Sequence, residues 1–333
     1  MKALRRVRIA GLSTYVPPRL LTNADLEKLV DTSDEWILQR TGIRERHIVE
    51  PGMATSDMAR EASLGALARA GITVDDIGFI VVGTTTPDTI FPSTACVLQN
   101  KLGATRAWGF DLGAACSGFT YALTVGAQMV ATGAHDYALV VGADTMSSII
   151  DYRDRTTCIL FGDGAGAVVL APAAEDEPAI IDFAHEIDGS GGPALCMPAG
   201  GSRLPASAET VDKRLHFVKQ DGQTVFKFAV RKTEEISRRI LERNGLSAEE
   251  LDLFVSHQAN RRIITAAAER LGLADEKVII NLERFGNTTG ATIPLALSDA
   301  SAAGKLKRGD LVLLASVGAG FTVGAVLLRW GVE

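Results

Sequence analysis

The 333-residue chain has few cysteines, few aromatic residues and no basic run of any length. Its four cysteines, Cys96, Cys116, Cys158 and Cys196, form no CxxC pair and show no Cys/His ligand spacing. No metal site is therefore expected. Aromatic residues are 6% of the chain, beside 47% hydrophobic and 22% charged residues. That composition is globular and excludes disordered, collagen-like and coiled-coil chains. Lys and Arg number 34, Asp and Glu 40, for a net charge of −6. The richest basic cluster, Lys2, Arg5, Arg6 and Arg8, is too short to imply nucleic-acid binding. The N-terminus has no apolar stretch of the secretory kind, so reduced thiols and a cytoplasmic location are expected.

One uncharged stretch, Leu311 to Leu328, meets the length test for a membrane span. Gly318-Ala319-Gly320 splits it into two strand-sized runs, so it reads as two buried strands joined by a tight turn, with no membrane partner.

Glycine is abundant at 33 residues, about one in ten where about 7% is usual. Such a chain is expected to make many tight turns and close backbone approaches. Apolar strand patterns lie at Ile77–Val82, Tyr137–Gly142, Ala165–Leu170, Leu251–Ser256, Leu311–Ala315 and Thr322–Leu328. Helical patterns lie at Asn23–Val30, Ser56–Ala70, Gly118–Ala131, Phe226–Asn244, Arg261–Leu271 and Ile293–Ala303. Continuous apolar strands alternating with helices imply an α/β fold with sheets covered on both faces.

The chain also repeats itself. Ala70-Gly-Ile-Thr leads through Asp75-Asp-Ile into Phe79-Ile-Val, and Asn244-Gly-Leu-Ser leads through Glu249-Glu-Leu into Leu253-Phe-Val. The offset is constant, 245 − 71 = 174 and 251 − 77 = 174. A second echo sets Gly166–Leu170 against Gly324–Leu328. Any α/β protein repeats such units, but the constant offset favours a fused duplication. Residues 1–174 are read as one half and 175–333 as the other, joined in the stretch Ala171–Pro178.

Three residues carry the candidate chemistry. Cys116, in Asp111-Leu-Gly-Ala-Ala-Cys-Ser-Gly, stands where a strand gives way to a helix. A lone cysteine is commonly a small core residue. At a helix start, unpaired N–H groups favour a thiolate nucleophile. Cys96, Cys158 and Cys196 lack that setting and read as structural. His257 ends the strand Leu251–Ser256, the position where open α/β sheets put their chemistry. His47, His135, His185 and His216 read as surface residues. Asn287, in Phe285-Gly-Asn-Thr-Thr-Gly-Ala, opens another turn before a helix and corresponds approximately to Cys116, at 287 − 116 = 171. Cys, His and Asn in that order also fit a cysteine hydrolase.

Asp31-Thr-Ser-Asp-Glu-Trp36, Arg40-Thr-Gly-Ile-Arg-Glu-Arg-His47, Ala114-Ala-Cys-Ser-Gly-Phe119, Phe161-Gly-Asp-Gly-Ala-Gly166, His257-Gln-Ala-Asn260 and Gly286-Asn-Thr288 follow one another along the chain. In these segments the chain resembles the β-ketoacyl-acyl-carrier-protein synthase III family throughout its length. The resemblance implies the thiolase fold, two βαβαβαββ halves in a five-layer αβαβα arrangement, working as a homodimer. It implies condensation of a short acyl-CoA primer with malonyl-acyl carrier protein, with loss of CO2, to start fatty-acid synthesis. No cofactor is implied, acyl-CoA being a substrate. The alternative is a related acyltransferase of secondary metabolism with a different acceptor.

By the same resemblance Cys116 carries the acyl group, and His257 and Asn287 hold the malonyl thioester carbonyl. The backbone N–H groups of Cys116 and Ala319 bind the oxyanion, with Ala319 standing where the family commonly has glycine. Trp36 and Arg155 sandwich the CoA adenine, Thr32 touches it, Arg40 meets the phosphates and Asn260 the pantetheine arm. Phe91 resembles the residue that closes the partner subunit's acyl tunnel. Gln258, Ala259, Asn260, Arg261 and Arg262, with Lys227, match the carrier-protein surface. Glu269-Arg270 stands where two lysines are common, which weakens that patch.

Overall fold

A computed structural model describes residues 4–332. Its first sheet contains β1 (Arg6–Tyr15), β2 (Phe79–Gly83), β3 (Trp108–Leu112), β4 (Ala138–Asp144) and β5 (Gly164–Ala173), in the order β1-β5-β4-β2-β3. The second contains β6 (Ile180–Ile187), β7 (Leu253–Ser256), β8 (Leu311–Gly318) and β9 (Thr322–Arg329), in the order β6-β9-β8-β7. In both, the two parallel strands of the repeat pair in the same register: Phe79 faces Ala138, and Leu253 faces Val312. The offsets 253 − 79 and 312 − 138 are both 174, so the duplication extends from motif to strand pairing. An isolated bridge between Phe254 and Val278 occupies the place of β3 in the second sheet.

The principal helices are α1 (Asp34–Thr41), α2 (Thr55–Ala70), α3 (Thr94–Leu102), α4 (Gly118–Ala131), α5 (Gly222–Arg243), α6 (Arg261–Leu271) and α7 (Thr292–Ala302). Helices α4 and α7 lie between the sheets, α2 and α3 outside the first, and α5 and α6 outside the second. The five layers are those of the thiolase fold. Each half contributes to the central core, where Phe79, Val81, Phe119 and Leu123 pack with Val255, Ile293, Leu314 and Val326. Burying these aliphatic and aromatic groups, about 1.5–3 kcal/mol for each large side chain, binds the sheets to the helices between them.

Helix α2 and its counterpart α5 both lead into a glycine at φ +68, Gly71 and Gly245. That left-handed conformation is open to glycine at little cost and turns the chain sharply towards the buried strand. The uncharged stretch from Leu311 is an antiparallel hairpin, Leu311 facing Arg329 and Gly318 facing Thr322. No helix among the described residues is long and apolar enough to cross a membrane.

Several expectations are revised. The pattern at Asn23–Val30 yields only a short helix, Asn23–Leu26. Strands β1, β3 and β6 and helix α3 were not visible in the apolar pattern. β3 and β6 flank their sheets and keep residues such as Trp108, Phe110, Ile181 and Ile187 exposed, which blurs the alternation. His185 is not a surface residue. It lies on β6 against α4, its ring 4.4 Å from that of Tyr121 and its Nε2 2.7 Å from Thr124 Oγ1. Burial pushes its pKa down to about 4. Cys96, expected to be structural, is exposed in the first turn of α3.

Candidate active site

The Cys116 side chain is set by a turn with a strained backbone. After β3 the chain passes through Gly113-Ala114 into a single 3-10 turn, Ala115–Ser117, and then directly into α4. Ala115 holds φ +47, a left-handed conformation that costs of order 1–3 kcal/mol in a non-glycine residue. The hairpin β8–β9 holds that turn in place: Thr322 Oγ1 donates to Ala114 O at 2.8 Å, and Ser117 Oγ donates to Thr322 O at 3.2 Å. A Cβ on Gly318 would lie 2.8 Å from Cys116 N, so only glycine lets the hairpin turn approach this closely. Cys116 is 7% exposed. Burial and, second, the charge of Asp144 push its thiol up to about 12, outweighing its backbone hydrogen bond. The thiolate expected from the helix start is thus corrected to a neutral resting thiol.

Asn287 is held from the other half. Its N–H donates to Leu160 O at 2.8 Å, and its carbonyl accepts from Gly162 N at 3.1 Å. Its Oδ1 accepts the N–H of Thr289 at 2.9 Å, which fixes the amide orientation and leaves Nδ2 as the free donor. Thr289 has φ +48, and 289 − 115 = 174. The duplicated turn therefore pairs Thr289 with Ala115 and Gly290 with Cys116. The approximate match of Asn287 to Cys116 is corrected by three residues.

Asp144, fully buried at the end of β4, ties the segment after β2 to the Thr289–Gly290 turn. It accepts from Thr84 Oγ1, from the N–H and Oγ1 of Thr85 and of Thr86, and across the seam from Thr289 Oγ1 and Gly290 N. Its only sequence signal is a carboxylate directly after an apolar strand, and that was missed.

His257 follows β7, its N–H donating to Ala315 O at 2.8 Å. Nδ1 lies 2.7 Å from Thr292 Oγ1, while the buried Nε2 has no partner. Burial lowers its pKa to about 3, so the ring is neutral.

Cys116, His257, Asn287 and Gly318 line one cleft of about 740 Å³, together with Trp36, Arg40, Arg155, Lys227, Ala259, Asn260 and Arg262. The Arg40 and Arg155 guanidinium groups each lie 5.3 Å from the Trp36 ring. Arg155 also donates to Asp31 O at 2.9 Å. Asn260 caps α6, accepting from Arg262 N, and donates to Arg40 O at 3.0 Å. Phe226, Ile263 and Leu195 add apolar lining that the motifs did not indicate.

Five of the expected residues lie outside the lining. Ala319 sits in the hairpin turn beside Gly318, and Thr32 precedes α1 with its hydroxyl unpartnered. Arg261 pairs with Glu283 at 3.1 Å. Phe91 is 84% exposed. Gln258 is corrected as a surface contact. Only 1% exposed, it donates to Ser256 O and Ile279 O and accepts from Asn281 N, so it fastens the segment from beneath.

The family model described as 3-oxoacyl-[acyl-carrier-protein (ACP)] synthase III matches residues 110–189, and its C-terminal counterpart matches residues 241–330. A curated relative, the β-ketoacyl-[acyl-carrier-protein] synthase III of Solibacter usitatus, is 60% identical over 327 residues, 98% of this chain and 99% of its own. The crystal structure of 3-oxoacyl-[acyl-carrier-protein] synthase III from Aquifex aeolicus is 43% identical, with a TM-score of 0.90 over 97% of this chain and 100% of that one. The priming β-ketosynthase of the R1128 polyketide biosynthetic pathway is 35% identical, with a TM-score of 0.92 over 100% and 99% of the two chains.

Proposed function

The chain belongs to the 3-oxoacyl-[acyl-carrier-protein] synthase III family, and from that premise we propose how its cleft divides the work of condensation. The enzyme is an acyltransferase that performs the initiating condensation of fatty-acid synthesis. The finer reading takes acyl-CoA as primer and malonyl-acyl carrier protein as extender. One observation carries it: a buried thiol, an amide donor and an unpartnered imidazole nitrogen converge on one cleft from three separate turns.

In the first half-reaction Cys116 attacks the primer thioester. The acyl–sulfur bond to CoA breaks, an acyl–Cys116 bond forms, and the thiol proton leaves on CoA. The oxyanion of that step is held by the N–H groups of Cys116 and Ala319, a reading supported by the close approach of Gly318, next to Ala319, to Cys116 N. In the second, malonyl thioester loses CO2 while Asn287 Nδ2 and His257 Nε2 donate to the carbonyl that becomes enolate-like. Donors that strengthen as charge develops lower the barrier more than they tighten substrate binding. The carbanion attacks acyl-Cys116, the carbon–sulfur bond breaks, and the departing thiolate takes a proton from water. With that proton each step balances on these residues and the two thioesters.

Trp36 and Arg155 receive the adenine of CoA, with Thr32 at its edge, Arg40 at the phosphates and Asn260 at the pantetheine arm. Aromatic stacking and guanidinium–phosphate pairing suit those residue types. Carrier protein docks at the mouth on Lys227, Ala259, Arg261 and Arg262. A homodimer fits the open side of β3, which ends its sheet and leaves Trp108 51% exposed; Phe91 is also uncovered. The two halves divide at residue 174, and the cytoplasm is the location expected for these free thiols.

The test incubates the purified protein with acyl-CoA primers and labelled malonyl-carrier protein, and measures CO2 and β-ketoacyl product. Condensation is expected. Acyl-CoA hydrolysis without condensation would establish a hydrolase instead. The polyketide-priming reading has a structural relative at 35% identity. Identity of 60% to a curated relative of the fatty-acid class favours the first reading.

A further inference from the structure

We propose that Thr292 decides which ring nitrogen of His257 carries the proton, and so makes Nε2 a donor to the cleft. This rests on the reading of His257 as a hydrogen-bond donor to the malonyl carbonyl.

Thr292 is the first residue of α7, 2% exposed, and its Oγ1 has two possible acceptors. One is His257 Nδ1 at 2.7 Å, the other Thr289 O at 3.0 Å. A hydroxyl has a single proton. Given to the carbonyl, it leaves the oxygen able only to accept from the ring; Nδ1 is then protonated and Nε2 presents a bare lone pair. Given to the ring, it makes Nδ1 the acceptor and leaves Nε2–H free.

Two observations select the second arrangement. Thr289 O already accepts the backbone N–H of Thr292, so it does not need the hydroxyl. The ring contact is also the shorter of the two. The buried ring has no carboxylate among its hydrogen-bond partners and stays neutral, so it cannot carry both protons at once. The choice between tautomers therefore decides whether the nitrogen in the cleft attracts the developing enolate or repels it. Thr292 also follows the strained Thr289 and the Asp144 contact, so the groups that fix Asn287 fix the hydroxyl as well.

The test combines two variants with two readouts. Thr292→Val removes the hydroxyl at nearly constant size, and Thr292→Ser keeps it. Nitrogen-15 NMR of histidine-labelled protein, with the His257 signals assigned by their loss in His257→Gln, reads the tautomer directly. The wild type and Thr292→Ser are expected to hold His257 as Nε2–H, and Thr292→Val to show a mixture of both tautomers. Malonyl-carrier protein decarboxylation should fall about tenfold in Thr292→Val, the scale of a weakened transition-state donor, with KM little changed. Acylation of Cys116 by acyl-CoA should be unchanged in both variants. A wild-type His257 protonated on Nδ1 would overturn the proposal, as would a Thr292→Val ring that remains wholly Nε2–H. If the tautomer shifts and decarboxylation does not, the Thr292 assignment stands and the donor role of His257 falls. Should Thr292→Val fail to fold, Thr292→Ala is read by the same measurements.

Discussion

The turns before α4 and α7 are the same piece of backbone put to different uses. Each is a single 3-10 turn running into a helix, with its first residue at φ +47 in one case and φ +48 in the other. In the first half the middle of the turn is Cys116, while in the second it is Gly290. The second turn contributes through the residues around that glycine: Asn287 before it, Thr292 after it, and Thr289 tied to Asp144. The two helix starts are equivalent in backbone, and only the first carries a thiol. The comparison also separates two effects that a helix start is often assumed to combine. The backbone hydrogen bond does lower the pKa of the Cys116 thiol, but burial and Asp144 raise it by more.

The connections after β4 and β8 differ in the same spirit. From Asp144 the chain makes a long excursion, Thr145–Asp163, which carries Arg155 to Trp36 and pairs Phe161 with Asn287. From Gly318, which lies close to the Cys116 N–H, only Ala319–Phe321 intervene before β9. In the proposed reading the long loop serves binding and the short one serves the reacting carbonyl.

The sharpest way to break this division is a pair of substitutions. Cys116→Ala should abolish acyl-enzyme formation, seen as loss of the acyl mass increment on the intact protein. Asn287→Ala should leave that increment in place and slow malonyl decarboxylation by about 10²–10³-fold, the usual cost of one oxyanion donor. Equal loss of acylation in both would mean that the two turns do not have separate jobs.

Next in size is the link between the two halves of the chain. Asp144→Ala leaves buried donors from both halves without an acceptor and should lower stability by on the order of 3 kcal/mol, read from denaturant melts. It should also slow malonyl decarboxylation more than acylation, since of the two turns only the one at Thr289–Gly290 bonds that carboxylate. An equal loss in both would show that the carboxylate holds the Cys116 turn as well.

A smaller effect concerns the thiol itself. With a pKa near 12, Cys116 is protonated at neutral pH, and its alkylation by iodoacetamide should rise about tenfold per pH unit from 7 to 10. A plateau below pH 8 would indicate the thiolate that a helix start alone favours. The least effect is expected of Ala319→Gly: the N–H is retained, so condensation should stay within about twofold of wild type.

Much of the frame could be read in advance because it is written in short-range signals. Gly71 and Gly245, and the buried runs at Phe79 and Leu253, repeat at a fixed spacing that survives as strand register. Cys116, His257 and Asn287 each stand beside a strand end or helix start, which is where they were sought. What stayed hidden depends on the fold bringing distant segments together. Gln258 looked like a surface polar residue until Ile279 and Asn281 closed over it. His185 looked exposed because its neighbours in the chain are polar, yet it faces Tyr121 on another element. Thr292 carried no local mark, since its importance lies in one contact with His257, 35 residues away in the chain.

The Trp36 ring, with two guanidinium groups at 5.3 Å, has a consequence for how a flat ligand arrives. The indole is not an empty shelf: Arg40 and Arg155 already take part of the attraction it can offer. A nucleobase that settles there trades one stacking partner for another, and the net gain from the ring is small. The displaced cation is then free to meet negative charge on the same ligand. In the proposed reading, recognition at this mouth is therefore an exchange, favouring molecules that bring a planar base and an anion together over those that bring either alone.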